Sequence, residues 1–321
     1  MHANVALNLN RLVYLNFISE IVVMKIMNKT VPWWVIIGVK IVLSRLPLPY
    51  SFWKRLGLFN WGDMELPDRA FKNFLQHAKM AGVLDENSSL PKLKVRGNFN
   101  VLELGPGDSL FHIMIAKALG ASRTWLVDAG WFAITDMAKY AQMLDFLREK
   151  GFVLPFKIYP STLDELIKEC NGEYLIEGVQ SLAQVPSESV DFSFSHVVLS
   201  CVWKSDFNKL VEELYRIMKP NGASYHTIDL KDYLGGALNN LRFSEATWEG
   251  DLFSKSKFYS NRIRFGEMVG IFEQAGFKCT LLRVKRWEQL PTPREKMDPA
   301  FRQLSDDDLL VSEFDILLKK F

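Results

Sequence analysis

The residues best placed to carry chemistry lie between residues 100 and 128, where glycines and acids follow two short apolar runs. Glu103 ends the first run, Gly105 and Gly107 follow it, and Asp128 ends the second run. Glycine lets a turn approach a ligand closely, because it has no Cβ. An acid about twenty residues further on is placed to accept hydrogen bonds from ribose hydroxyls. The pattern predicts a site for a nucleoside-bearing cofactor at the carboxyl ends of two parallel strands.

Two departures from a dinucleotide-binding loop indicate which cofactor this is. Leu110 stands where the motif Gly-x-Gly-x-x-Gly has its third glycine. Glu103 would repel a diphosphate but suits a cationic ligand, so S-adenosylmethionine is favoured over a dinucleotide. We expect the cofactor contacts to come from Glu103, Leu104, Gly105, Pro106, Gly107, Asp128, Ala129, Ser181, Leu182 and Ser195. The chain has no acid–histidine cluster that favours a metal site.

If S-adenosylmethionine donates its methyl group to a hydroxyl, the site needs a general base as well as the cofactor, since an alcohol is poorly nucleophilic while it is protonated. His226 and Asp229 flank the end of the fifth predicted strand, and their spacing could let Asp229 orient the imidazole. We predict that His226 or Asp229 is the base, with His196 at the end of the fourth strand as a further candidate. Two alternatives stay open: His226 is a hydrogen-bonded core residue, and His196 packs against the adenosine side.

The elements that must position these residues alternate along the chain. Apolar runs predict strands at residues 100–104, 124–127, 173–177, 190–195, 223–228, 278–287 and 310–319. Helical patterns separate most of them, at residues 109–119, 132–150, 163–170, 206–218 and 262–275. This alternation predicts an α/β, Rossmann-like sheet of seven mostly parallel strands. The last two strands have only the polar linker 288–308 between them, so we expect them to pair antiparallel.

From about residue 95 to residue 321 the chain resembles the class I S-adenosylmethionine-dependent methyltransferases. Val101-Leu-Glu-Leu-Gly-Pro-Gly107 matches their glycine-rich first motif, and Asp128 matches their ribose-binding acid. Ser189-Val-Asp-Phe-Ser-Phe-Ser-His196 resembles their fourth-strand motif, and the segment 214–222 resembles the helix–turn before strand five. The resemblance implies an antiparallel seventh strand and S-adenosylmethionine as the cofactor. Segments 226–232, 235–243 and 258–264 resemble a bacterial subgroup associated with surface-polysaccharide gene sets, which says little about the acceptor.

The resemblance also predicts how the chain is divided. We expect a helical N-terminal extension at residues 1–91 and a methyltransferase domain at residues 92–321, with an insertion at residues 231–260 over the acceptor site. Residues 50–84 read as a polar, helical surface element. Within the insertion, the side chains expected to bind the acceptor are Asn239, Asn240, Arg242 and Tyr259. Its aromatic residues could form a stacking or lid surface, or they could only pack the insertion down.

Composition narrows the class of protein. A net charge of +2 over 321 residues gives no electrostatic reason to expect nucleic acid as a partner. Three cysteines without metal-ligand spacing fit the reducing cytoplasm. Residues 15–43 are apolar but are interrupted by charges, so a spanning helix of ~20 residues is not expected. This segment either covers the catalytic domain or lies at the membrane–water interface. In the second case residues 15–55 would make peripheral contact with the inner membrane face.

These observations predict a cytoplasmic methyltransferase that acts on a hydroxyl of a small molecule or a glycan. Two alternatives remain. A nicotinamide-dependent oxidoreductase would use a related sheet, and a non-catalytic methyltransferase-like binding module would keep the fold without turnover. The altered segment Leu199-Ser-Cys-Val202, where relatives often carry a helper histidine, keeps the second alternative open.

Overall fold

The computed structural model describes residues 32–44, 64–85, 88–94, 97–154, 159–256 and 258–321. Contacts divide the chain into two units. The larger unit comprises Trp61–Leu230, Asn261–Leu290 and Leu304–Phe321. The smaller unit comprises Met1–Asn60, Lys231–Ser260 and Pro291–Gln303. Residues 15–31 of the apolar N-terminal segment lie outside the described residues.

The described strands belong to the larger unit. They are β1 (Leu84–Asp85), β2 (Lys92–Leu93), β3 (Asn100–Leu104), β4 (Arg123–Val127), β5 (Gly172–Leu175), β6 (Val190–His196), β7 (Met218–Asp229), β8 (Lys278–Arg286) and β9 (Val311–Lys319). β1 and β2 form a small antiparallel hairpin, and the other seven form one sheet in the order β5-β4-β3-β6-β7-β9-β8. The strands are parallel except β9, which runs antiparallel to both of its neighbours. The predicted fold class is confirmed.

The described helices are α1 (Trp33–Ser44), α2 (Pro67–Met80), α3 (Phe111–Ala118), α4 (Met137–Glu149), α5 (Leu163–Glu169), α6 (Lys204–Ile217), α7 (Glu245–Trp248), α8 (Asp251–Ser254), α9 (Phe265–Gln274), α10 (Pro299–Arg302) and α11 (Asp306–Leu309). α1, α7, α8 and α10 lie in the smaller unit. No helix among the described residues is long and apolar enough to cross a membrane.

The core of the larger unit lies on both faces of the sheet. Side chains alternate along a strand, so Val101 faces a cluster formed with α2, α3, α4 and α5, whereas Leu102 faces a cluster formed with α6 and α9. On β4, Leu126 likewise faces the first cluster and Trp125 faces the second. Helices therefore cover both faces of the sheet, as is usual for a mostly parallel sheet.

Some element boundaries differ from the predictions. α3 begins at Phe111, because residues 108–110 still belong to the turn. α4 begins at Met137, where the Asp136 carboxylate caps the helix by accepting a hydrogen bond from Ala138 N at 3.0 Å. The apolar residues before that cap had extended the predicted helix to residue 132. Residues 306–308, at the end of the predicted polar linker, lie in the helical turn α11, which Ser305 caps.

The prediction of a polar surface element at residues 50–84 is wrong for α2. Pro67 starts this helix, and its buried residues Phe71, Phe74 and Ala78 join the core on one face of the sheet. The spacing of three and four residues puts these side chains on one helical stripe. The contacts place α2 and β1 in the larger unit, whereas both fall within the N-terminal extension predicted at residues 1–91.

The smaller unit has an aromatic interior of its own. Its buried cluster consists of Ile37, Leu234, Trp248, Phe253, Phe258 and Tyr259. Since these aromatic side chains are at least nine-tenths buried, they form packing contacts rather than an open stacking surface. The packing alternative for the insertion therefore describes them better.

Candidate functional site

Three strand ends stand side by side at the carboxyl edge of the sheet. Leu104 on β3 pairs with Val127 on β4 and with Ser195 on β6. Gly105 and Asp128 come directly after β3 and β4, and His196 is the last residue of β6. The sequence analysis predicted this edge as the cofactor site, and the topology brings these groups to it.

The glycine loop needs glycine at its first position for two reasons. Gly105 has a φ of 69°, a left-handed conformation that other residues adopt only with strain. A Cβ at this position would lie 2.8 Å from Val198 Cγ1 and closer still to Cγ2. Gly105 N also donates to Val127 O at 2.8 Å, which ties the loop to β4. The turn is thus fixed by close packing and by a backbone hydrogen bond.

Asp128 is buried beside this loop with both carboxylate oxygens in use. Oδ2 accepts from Gly107 N at 3.0 Å, and Oδ1 accepts from Ala129 N at 2.8 Å. Burial raises the pKa of Asp128 to about 6, while these two donors act in the opposite direction. Each carboxylate oxygen has a further lone pair. The arrangement suits two ribose hydroxyls, which would donate to the remaining positions.

Glu103 presents the second carboxylate of the site. Its Oε1 lies 2.6 Å from His112 Nδ1, and among the described residues its buried Oε2 has no hydrogen-bond partner. An unpaired buried acceptor indicates a donor that binds there. The amino group of S-adenosylmethionine is such a donor, so Glu103, the glycine loop and Asp128 together fit this cofactor.

The sequence analysis missed His112. It lies in α3, where its ring is buried and its Nε2 contacts Ala70 O at 3.1 Å. The sequence did contain one indication of its role, because His112 and Lys117 are the only polar residues of α3. A single histidine on such a buried helix needs a polar partner. The spacing to Glu103 did not reveal that partner.

Three of the predicted cofactor residues lie in the interior. Leu182 is fully buried in the core cluster around α6 and α9, and Ser195 is buried with its hydroxyl bonded to His226. Ser181 is also buried, and its Oγ accepts from Glu177 N at 2.9 Å. Their side chains are engaged within the protein. The other predicted contacts, Leu104, Pro106 and Ala129, flank the glycine loop and Asp128, and their role stays a prediction.

His226 requires a correction, because it is a core residue. Its ring is fully buried, with Nδ1 at 2.7 Å from Ser195 Oγ and Nε2 at 2.6 Å from Ser224 Oγ. Burial lowers the pKa of His226 to about 3. A base must reach the acceptor, and neither ring nitrogen is available. The hydrogen-bonded alternative is the one that the structure shows.

Asp229 does not orient this imidazole. Both residues lie within β7, where positions three apart point to opposite faces of the sheet. The i, i+3 argument would hold on a helix but fails on a strand. Asp229 ends β7 opposite Glu313 of β9, and its catalytic role stays a prediction.

His196 is the candidate base that reaches the edge of the sheet. It ends β6 with its side chain exposed, and its ring meets His77 of α2 edge-on at 5.5 Å. Partial burial of the ring, with His112 and Arg69 nearby, lowers the pKa of His196. Val197 follows with a φ of 59°, which is strained for a β-branched residue. The strained turn fixes where β6 ends.

The predicted acceptor residues have internal partners within the smaller unit. Asn239 Oδ1 accepts from Arg242 Nε at 3.0 Å, and the Arg242 guanidinium lies 4.8 Å from the centre of the Trp33 ring. Asn240 Nδ2 donates to Ser260 Oγ at 2.9 Å. The Tyr259 hydroxyl donates to Glu249 Oε2 at 2.8 Å. These contacts order the insertion, and acceptor binding by these residues stays a prediction.

Two cavities in the larger unit are lined by residues outside the predicted cofactor site. One, of about 470 Å³, lies between α6 and α9 and is lined by Lys204, Asn208 and Glu267 among others. The other, of about 730 Å³, lies beside β2 and the end of α3. Neither is lined by the glycine loop, Asp128 or His196, so neither cavity is the proposed cofactor site.

Comparison with known proteins agrees with this fold. Residues 102–225 match the family model described as a methyltransferase domain. No curated protein sequence matches the chain.

Three solved structures illustrate the similarity. The YcgJ protein from Bacillus subtilis is 15% identical, covers 78% of this chain and 99% of its own, and has a TM-score of 0.40. An S-adenosylmethionine-dependent methyltransferase from Archaeoglobus fulgidus is 12% identical over 85% of this chain and 100% of its own, with a TM-score of 0.42. One from Methanosarcina mazei is 13% identical over 71% and 95%, with a TM-score of 0.38.

The family model spans the glycine loop, Asp128 and the strands up to β7. The antiparallel β9, the seventh strand of the sheet along the chain, is the one that the resemblance implied. Residues 102–225 therefore carry a methyltransferase domain, and the glycine loop, Asp128 and the sheet fit the class I S-adenosylmethionine-dependent methyltransferases that the chain resembles.

Proposed function

We propose that this enzyme methylates a hydroxyl group of a small molecule or a glycan, with His196 as the general base. The observation that supports this proposal is the position of His196, exposed at the end of β6 and next to the strand that carries the glycine loop. Because the pKa of His196 is lowered, its imidazole is neutral at neutral pH and can accept a proton.

Each group at the edge has a separate part in this proposal. Bound S-adenosylmethionine supplies an activated methyl group. Asp128 would hold the ribose hydroxyls, and Glu103 would hold the amino group. His196 would take the hydroxyl proton as the acceptor oxygen is methylated, so that no free alkoxide forms. The strained turn at Val197 would keep the imidazole in place.

The proposal is tested by transfer of a labelled methyl group. The protein is incubated with S-adenosylmethionine that carries a tritiated methyl group and with small-molecule and glycan fractions of cell extracts. We expect label in a product that resists alkali but loses its methyl group to boron tribromide, as an ether does. His196→Gln should lose this transfer and keep S-adenosylhomocysteine binding, because glutamine has similar polarity but cannot act as a base.

Other outcomes would contradict the proposal. Alkali-labile label would indicate a carboxyl acceptor, and label retained by boron tribromide treatment on a basic product would indicate an amine. Binding without transfer to any fraction would favour the non-catalytic module. Wild-type transfer by His196→Gln would remove His196 from the mechanism.

We further propose peripheral membrane contact through α1. Trp33 of this helix packs on Phe243 within the smaller unit, with ring centres 6.2 Å apart, whereas Trp34 is 62% exposed. An exposed tryptophan on an apolar helix is suited to the boundary between headgroups and acyl chains. One helix can thus pack on the insertion with one side and present Trp34 on the other.

A further inference from the structure

The buried pair of Glu103 and His112 shares one proton, and this follows from the geometry alone. A backbone carbonyl can only accept, so His112 Nε2, 3.1 Å from Ala70 O, must carry a hydrogen. One more proton lies between His112 Nδ1 and Glu103 Oε1, which are 2.6 Å apart. The pair is either imidazolium with carboxylate or imidazole with carboxylic acid. It is neutral in both forms.

The surroundings keep this proton within the pair. The His112 side chain is 3% exposed and that of Glu103 is 6% exposed. The rings of Phe74 and Phe194 lie 5.9 and 5.5 Å from the His112 ring. Among the described residues, the charged or titratable groups facing the pair include Asp128 after β4, Tyr174 of β5, His77 of α2 and His196 at the end of β6. Aromatic walls and burial disfavour a net charge here.

We propose that His112 is a positioning residue for the cofactor, holding Glu103 by one oxygen and keeping the shared proton so that Oε2 accepts from the cofactor's amino group. This inference rests on the proposed cofactor site. As the cationic amino group arrives, the pair shifts to imidazolium and carboxylate without losing a proton to solvent. Without His112, Glu103 would lose the group that holds its Oε1 and shares its proton, and its Oε2 would no longer be fixed toward the amino group.

The test compares two ligands by calorimetry at pH 7 and pH 8, each in two buffers with different ionisation enthalpies. S-adenosylhomocysteine has the amino acid part that Glu103 would hold, whereas 5′-methylthioadenosine retains only the adenosine and thioether parts. For the wild type we expect both ligands to bind with almost no exchange of protons. The affinity for S-adenosylhomocysteine should stay nearly constant between the two pH values.

His112→Gln should weaken S-adenosylhomocysteine about tenfold or more at pH 7, because Glu103 loses its charged partner. Glu103→Gln should show a similar loss, since its amide cannot replace the carboxylate that accepts from the amino group. 5′-Methylthioadenosine should bind all three proteins alike.

Two results would overturn this inference. The wild type could release about one proton per S-adenosylhomocysteine, a measurement that needs no variant and so stands even if His112→Gln fails to fold. Alternatively, folded His112→Gln could bind S-adenosylhomocysteine as the wild type does at both pH values. Wild-type protein that binds neither ligand would overturn the cofactor site itself, which is a different result from these two.

Discussion

Val198 fills the space that a side chain on Gly105 would need. Its two methyl groups stand where a Cβ would project, and the backbone of Gly105 has a φ of 69°. The glycine loop after β3 and the turn after β6 are therefore packed together at the carboxyl edge. A change at either residue should disturb the cofactor loop.

Gly105→Ala should lower the free energy of unfolding by about 1–3 kcal/mol and weaken the binding of S-adenosylhomocysteine. The new methyl group would collide with Val198, and the alanine would have to adopt a backbone conformation that is unfavourable for it. Gly82→Ala is the matched control: its φ is 73°, but no described atom lies within 4 Å of the added Cβ. The control should lose about 1 kcal/mol and keep the affinity. Adding Val198→Ala to Gly105→Ala should restore part of the loss, and a purely additive double variant would contradict the contact.

The two histidines that were predicted as bases should respond in opposite ways. His226→Ala should lower the free energy of unfolding by about 2–4 kcal/mol in urea, since it leaves a cavity and removes the imidazole to which the buried hydroxyls of Ser195 and Ser224 are hydrogen-bonded. His196→Ala should change stability little, because its side chain is exposed, but should lower turnover by about 10²–10⁴-fold. A stable His226→Ala protein without turnover would reverse this assignment.

The raised pKa of Asp128 predicts that cofactor binding depends on pH. Its pKa is raised to about 6, so the carboxylate gains a proton as the pH falls through that value and becomes a poorer acceptor for ribose hydroxyls. The affinity for 5′-methylthioadenosine, measured by calorimetry, should fall by up to about tenfold from pH 7.5 to pH 5. Asp128→Asn should bind more weakly and without this pH dependence. A wild-type affinity that is constant over this range would argue against ionised Asp128 as the ribose acceptor.

The two tryptophans of α1 separate packing from membrane contact. Trp33→Ala should destabilise the protein, because the ring contacts Phe243 and the Arg242 guanidinium. Trp34→Ala should leave stability unchanged and reduce flotation with anionic liposomes, since this ring is exposed. If full-length protein does not float with liposomes at all, the membrane proposal fails.

The sequence was sufficient for the fold because each strand and helix has a local pattern. Apolar runs separated by helical patterns predict the sheet, which the structure confirms, and the structure brings Gly105 and Asp128 to the same edge of it. The candidate base could not be chosen in this way. His226 and Asp229 lie near one another in sequence, but the pleat of β7 sends them to opposite faces.

Contacts between segments that are far apart in the sequence could not be predicted from it either. Val198 is 93 positions after Gly105, and nothing in its local pattern indicates that it packs there. The pairing of Glu103 with His112 depends on how α3 lies against β3. The buried stripe of α2 was readable in principle, because its apolar residues recur at helical spacing. It was masked by the polar residues between them.

The measurement that tests the central claim most directly is a calorimetric titration of wild type and Asp128→Ala with S-adenosylhomocysteine and, separately, with NADH. We expect the wild type to bind S-adenosylhomocysteine at one site and not to bind NADH. Asp128→Ala should keep its melting behaviour and lose about tenfold or more in affinity, because charge-assisted bonds to the ribose are removed. Unchanged affinity in that variant, or wild-type binding of NADH in place of S-adenosylhomocysteine, would contradict the account.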